Sequence, residues 1–280
     1  MNFIMVIYTE VLYRPLFNAL VLIYNQIPWE AWAIGLAIII LTILLKLALY
    51  SMSARSILAQ RDMQKLQPRM NEIKDKYKND KEKQSREMMK FYKENKVNPF
   101  SSCLPLLIQL PILIALYRVF QHGLINPEEL NTVLYPFVAN PGNLNPYFLG
   151  IDLAVPNIVL AIIAGASQFL QSWLLLKMKT EKEKIEEAER KKNQKKKKTM
   201  DFSETASNMT KQMVYIMPLV TVFIAMSLPS GLAFYWIATS LFGVFQQWLI
   251  MKKKEKLDLE EANTPQLPSG EGKPSGKGKK

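Results

Sequence analysis

The sequence is poor in the residues that most enzyme and metal sites need. Its 280 residues include one cysteine, Cys103, and one histidine, His122. A single cysteine allows no internal disulfide, and an isolated histidine gives no metal-ligand spacing. The chain also contains no G-x-S-x-G, Walker or G-x-G-x-x-G motif. We therefore expect a protein that is not an enzyme and that uses neither a metal nor another cofactor.

Charge is missing from long parts of the chain, although the net charge is +12 and 49% of the residues are hydrophobic. About 20 consecutive apolar residues suffice for a helix that crosses a bilayer. Apolar stretches of about that length are separated here by Lys-rich segments, which is typical of a polytopic membrane protein. The sequence predicts an all-α fold with five transmembrane helices, at 31–53, 101–121, 153–176, 213–228 and 231–251.

The distribution of lysine and arginine predicts the orientation. Of 36 such residues, thirteen fall in 54–100, twelve in 177–212 and eight in 252–280. The stretch 119–176 has none. Basic segments remain in the cytoplasm, so we expect the N-terminus and the 122–152 loop outside and the C-terminus inside. Because the N-terminus lacks the features of a secretory signal, a bacterial inner membrane or a plasma membrane is the expected location.

Three segments outside the spans have their own patterns. Residues 1–30 are amphipathic and predict a helix in the outer interface, with a sixth span as the alternative. Residues 252–280 form a basic tail whose end is expected to be disordered. Residues 54–100 predict a cytoplasmic helical hairpin that turns at Asn79–Asp80, with an apolar seam at Met63, Leu66, Met70, Ile73 and Tyr77.

The cations of this hairpin have two interpretations. They can form an ordinary solvated surface, or they can dock a polyanion such as the ribosome, or anionic membrane lipids.

Lys46 is the one charge inside the first predicted span, with Thr42 one turn before it. An ionisable residue at membrane depth is a functional-site hypothesis by default, although a lysine can also extend to the membrane surface. No span contains an acidic residue to neutralise it. Other spans carry polar residues whose burial in lipid would cost free energy, so we expect them to line a positively charged, hydrated groove that opens to the cytoplasm. They include Gln109, Gln168, Gln171 and Ser240.

Four motifs identify the chain as similar to a known family. They are LQP (66–68), NPFSSCLPLLIQLPILIALY (98–117), FLGIDL (148–153) and LPSGLAFYW (228–236). In this order they resemble the YidC/Oxa/Albino family of membrane protein insertases, in its core-only bacterial form. The resemblance implies five core spans, a cytoplasmic hairpin and a hydrophilic groove. It also implies insertion of nascent membrane proteins, alone or with the Sec translocon.

The resemblance also implies roles for individual residues. Lys46 matches the position of the family's groove arginine, and Thr42, Gln171, Tyr235 and Trp236 match groove-lining positions. Lysine keeps the positive charge but lacks the planar fork that binds a carboxylate at two points. The alternative function is a small-anion channel or carrier, which requires a polar path through the whole membrane.

Overall fold

The computed structural model describes residues 3–98, 104–125, 130–177 and 204–263. Within these ranges the fold is all-α apart from one pair of two-residue strands, as the sequence predicts. Residues 178–203, which include most of the predicted 177–212 loop, and the tail from residue 264 lie outside the described residues.

The chain begins with a nearly continuous helical run. Helix α1 spans Phe3–Tyr8, a π-helical turn spans Thr9–Tyr13 and α2 spans Arg14–Asn25. Pro15 is the second residue after the π-helical turn, and a proline has no N–H for the regular helical ladder. The backbone N–H of Arg14 instead donates to the carbonyl of Thr9, five residues back.

Helices α3 and α4 form a long run that connects the first predicted span to the hairpin. Helix α3 spans Glu30–Ala48 and α4 spans Tyr50–Lys76. Leu49 lies between them with φ −93° and ψ 9°, so the regular helix is interrupted there. The predicted span ended at residue 53, whereas the interruption comes four residues earlier.

Helix α5, Lys81–Glu94, returns along α4 and completes the predicted hairpin. Asp80 accepts a hydrogen bond from the backbone N–H of Lys83 at 2.9 Å and so caps α5. Met70 of α4 and Phe91 of α5 are buried. Of the five residues predicted for the seam, Met70 is buried and the other four are half-buried, so the continuous apolar seam stays a prediction.

The remaining helices flank the loop that contains the two short strands. Helix α6 spans Leu104–Phe120 and runs into a π-helical turn at Gln121–Ile125, and α7 spans Leu130–Val133. Strands β1 and β2, Tyr147–Phe148 and Ile151–Asp152, pair antiparallel in the register Tyr147↔Asp152 and Phe148↔Ile151. Then follow α8, α9 and α10, at Ile158–Lys177, Glu204–Ala225 and Ser230–Asn263.

Four of the described helical stretches are long and apolar enough to cross a membrane: Met5–Asn25, Glu30–Ala48, Leu107–Leu124 and Ile158–Leu175. The apolar part of α9, Val214–Ala225, is shorter. The first stretch coincides with the segment assigned above to the interface, with a span as the alternative. The fold is that of a polytopic helical membrane protein, and the layout of five spans stays a prediction.

One end of the molecule, which we call the loop end, holds residues 130–157 above the helices. The ring of Phe148 inserts there between α3 and α10, with its centroid 5.7 Å from Trp32 and 5.0 Å from Phe234. Gly35 makes room for it, since a Cβ at that position would overlap the Phe148 ring. The core around this contact includes Phe17, Ile34, Phe120, Leu130, Leu153 and Leu232, all fully buried.

The opposite end, which we call the hairpin end, carries α4 and α5. Here α4 contacts the second half of α10, and Lys254 lies 3.8 Å from the carboxylate of Asp62. Gln246 on α10 is also buried against α4. The base of the hairpin is thus anchored on the last helix.

Candidate functional site

A pocket of about 60 Å³ opens among α3, α4, α6 and α10. This volume has room for a few water molecules. Its polar side chains come from all four of these helices, and α4 supplies two of them. The lining consists of Leu45, Lys46, Leu49, Met52, Ser53, Ser56, Ile108, Gln109, Ile112 and Tyr235.

Lys46 provides the charge of this pocket. It is half-buried, two residues before α3 ends, and so lies near the hairpin end. Among the residues that the structure describes, it makes no ion pair. A cation held beside apolar helices without a counter-charge attracts an anionic group that enters the pocket.

Gln109 and Tyr235 form the second polar feature of the pocket. The Nε2 of Gln109 donates to the Tyr235 hydroxyl at 2.7 Å, which joins α6 to α10. Tyr235 is 3% exposed, so this hydrogen bond is well protected from solvent. This hydrogen bond orients the amide, whose Oε1 can accept a hydrogen bond from another group.

The other five residues predicted for a groove lie outside this pocket. Thr42 is buried and donates to the carbonyl of Ile38 at 2.6 Å, one turn back in its own helix. Ser240 is buried in α10, and Trp236 packs against the apolar core. None of these three side chains lines the pocket with Lys46.

The two predicted glutamines of α8 are used in contacts between helices. The Thr221 hydroxyl of α9 donates to Oε1 of Gln168. The amide of Gln171 lies against Gly243 of α10, where a Cβ would overlap it. Small residues and side-chain amides at helix contacts are a common way to join helices in membranes. A role for these residues in a groove stays a prediction.

Sequence reasoning missed the polar residues that α4 and α10 contribute at the hairpin end. Ser53 donates to Oε1 of Gln246 at 3.0 Å, and Gln246 donates weakly to the carbonyl of Tyr50 at 3.4 Å. Ser56, one turn later on α4, is 2% exposed. Its hydroxyl has no hydrogen-bond partner among the described residues.

A signal for the two serines was present in the sequence. Lys46, Leu49, Ser53 and Ser56 follow one another at intervals of three, four and three residues, which places them on one helical face. The apolar run ends near residue 53, so Ser56 lies beyond the stretch that the sequence assigns to the membrane. The face that carries Lys46 continues past the end of the apolar run.

Cations and aromatic rings are paired at the hairpin end. The ammonium of Lys177 lies 4.2 Å from the Trp173 ring centroid, and that of Lys252 lies 5.1 Å from the Trp248 centroid. Trp next to Lys is typical of a membrane interface. In the hairpin, burial lowers the pKa of Lys74.

The described residues hold no group of three or more histidine, cysteine, aspartate or glutamate side chains that could bind a metal ion.

Comparison with known proteins places this arrangement in one family. The family model described as 60Kd inner membrane protein matches residues 26–257. The membrane protein insertase YidC of Fusobacterium nucleatum subsp. nucleatum is 34% identical over 242 residues, which are 86% of this chain and 98% of the relative.

Two further relatives of the same name are longer. That of Histophilus somni (strain 2336) is 33% identical over 246 residues, 88% of this chain and 38% of the relative. That of Geobacter sp. (strain M21) is 31% identical over 224 residues, 79% of this chain and 34% of the relative. The chain thus spans nearly all of the first relative and little more than a third of the other two.

Proposed function

Since the chain belongs to the 60Kd inner membrane protein family, which includes the YidC insertases, we propose that it inserts nascent membrane proteins into the cell membrane. The polar pocket receives a hydrophilic segment of the substrate, while the apolar segment of the substrate moves along the helices into lipid. Because of the pocket, the polar groups of the substrate cross a shorter stretch of the membrane without hydrogen-bond partners.

The observation that carries this proposal is the placement of Lys46. A cation without a described counter-charge lies in a pocket with the Gln109–Tyr235 pair. It can attract the acidic residues of a translocated tail, and the neighbouring polar groups can replace water. Neither Lys46 nor the Gln109–Tyr235 pair forms a nucleophile with a neighbouring base. We therefore propose that the substrate moves into the membrane without a covalent bond to the protein.

The proposed orientation has the hairpin end in the cytoplasm and the loop end outside. The thirteen cations of 54–100 support it, because basic segments remain on the cytoplasmic side. The pocket then faces the compartment in which substrates are made. The packed core around Phe17, Ile34 and Phe120 closes the loop end.

Three partners are proposed, two on electrostatic grounds and one by similarity. The hairpin and the basic tail attract ribosomes and anionic lipids. The Sec translocon is a further proposed partner, with which the protein handles substrates that it does not insert alone.

Reconstitution tests the proposed function against the alternative of a small-anion channel or carrier. Purified protein in liposomes should protect the translocated tail of a short single-span substrate from added protease, and protein-free liposomes should not. The same vesicles should show no more anion flux than protein-free vesicles. Anion flux without protection of the substrate would replace the insertase proposal by the channel alternative.

A further inference from the structure

The pocket wall formed by α4 contains a hydroxyl that no other described residue bonds. Ser56 is 2% exposed, and its Oγ has no hydrogen-bond partner among the described residues. Burial of an unpaired hydroxyl is unfavourable, and most buried polar groups in folded proteins are paired. Such a group is therefore a candidate contact for something that enters the pocket.

The neighbouring hydroxyls show how a helix normally avoids this cost. Thr42 donates to the carbonyl of Ile38, four residues back on α3. Ser53 donates to the side chain of Gln246. Ser56 lines the same pocket as Ser53 but makes neither kind of bond. The difference is not in residue type, since Ser53 and Ser56 are both serines on the same helix.

Ser56 also complements the other polar groups of the pocket. Lys46 offers positive charge, which favours acidic side chains of a substrate. The Oε1 of Gln109 can accept a hydrogen bond, since the bond to Tyr235 is made by the Nε2 of this amide and not by its Oε1. The hydroxyl of Ser56 can donate one. A donor and an acceptor in one pocket are what an extended main chain needs, because each of its peptide units carries both groups.

We propose that Ser56 is a substrate-contacting residue that hydrogen-bonds the main chain of the translocated segment. The contact is independent of the side chains of the substrate, whereas the contact with Lys46 favours acidic ones. This inference rests on the proposed insertase function. The inference extends the proposed binding site beyond the apolar run, to the first turns of α4.

The experiment compares substrates that differ only in the charge of their tails. One single-span substrate is prepared with an acidic tail and with a neutral tail, and its insertion into proteoliposomes is measured at equal protein level. Ser56→Ala should slow both by about three- to tenfold, the range expected for one lost hydrogen bond. Lys46→Ala should slow the acidic tail more than the neutral one. Ser56→Thr, which keeps the hydroxyl, should retain insertion of both.

A second measurement separates contact from a merely structural effect. In a Cys103→Ser background, Ser56→Cys should form a disulfide with a cysteine in the tail of a stalled substrate on mild oxidation. Ile57→Cys is the control, because Ile57 is buried next to Ser56 but does not line the pocket. It should not form the disulfide.

The outcomes are distinguishable. If the unmodified protein inserts neither substrate, the proposed function fails. If it inserts both, the inference about Ser56 is overturned by any of three results. These are a Ser56→Ala variant with the unmodified rate, a loss that Ser56→Thr does not restore, or a disulfide at position 56 no more frequent than at position 57.

Discussion

At the loop end, the amide of Asn18 makes three hydrogen bonds, whereas at the hairpin end the hydroxyl of Ser56 makes none among the described residues. Asn18 donates to the carbonyls of Arg14 and Val133 at 2.8 and 3.1 Å and accepts from the N–H of Tyr135 at 2.7 Å. Both side chains are 2% exposed. The two side chains are equally buried, but of the two only Asn18 has hydrogen-bond partners among the described residues.

The two ends differ in what their buried polar side chains contact. Asn18 joins α2 to the 130–145 loop, and two further hydrogen bonds support the same contact, from Asn25 to Ala139 and from Asn145 to Tyr24. At the hairpin end, Lys46 and Ser56 line a pocket instead of closing one. Asn18 thus holds the loop end to α2, whereas the proposed contact of Ser56 with a substrate stays a prediction.

The largest expected effect comes from reversing the charge of the pocket. Lys46→Glu should nearly abolish insertion of a substrate with an acidic tail, because attraction becomes repulsion in a partly buried site. Lys46→Ala should lower it by about tenfold or more, and Lys46→Arg should retain it since the charge is kept. The measurement is protease protection of the acidic and neutral substrates at equal protein level. If Lys46→Ala inserts the acidic substrate at the unmodified rate, the lysine serves only to reach the membrane surface.

The next largest expected effect is a loss of protein stability when Asn18 is replaced at the loop end. Asn18→Ala leaves the N–H of Tyr135 without its partner and removes a donor from the carbonyl of Val133. It should lower the free energy of unfolding by about 2 kcal/mol, as expected for an unpaired buried group. Thermal unfolding in detergent measures this change.

Asn25→Ala is the matched control for the loop end. Asn25 is exposed and makes one hydrogen bond, to the carbonyl of Ala139 at 2.8 Å. Its loss should cost less than about 1 kcal/mol. Equal effects of the two variants would contradict the view that the buried amide holds the loop end.

The smallest effect is the dependence of ribosome association on salt. The exposed cations of the hairpin should bind ribosomes less well as salt rises past roughly 0.2 M, because charges are screened over about 8 Å at physiological salt. Co-sedimentation of proteoliposomes with ribosomes across a salt series measures this. Binding that does not change with salt would point to an apolar contact surface instead.

The sequence predicted the class of fold because apolar runs and basic segments alternate clearly. It also grouped Lys46, Gln109 and Tyr235, partly through family resemblance, and all three line one pocket in the structure. Their part in insertion stays a prediction.

Helix neighbours could not be predicted, because periodicity shows which residues share a face but not which helix lies opposite. Gln168 therefore could not be matched to Thr221, nor Gln171 to Gly243. The insertion of Phe148 beside Gly35 depends on a loop that returns across more than a hundred residues. No local pattern indicates such a contact.

The interruption at Leu49 has a mechanical consequence. Helix α4 has 27 residues and is therefore about 40 Å long, whereas Ser56 lies only about 10 Å from Leu49. If α4 turns about Leu49 as one body, its far end travels about four times as far as Ser56 does. Such a rotation requires the contacts of Ser53 with Gln246 and of Asp62 with Lys254 to break, because both join α4 to α10 beyond Leu49.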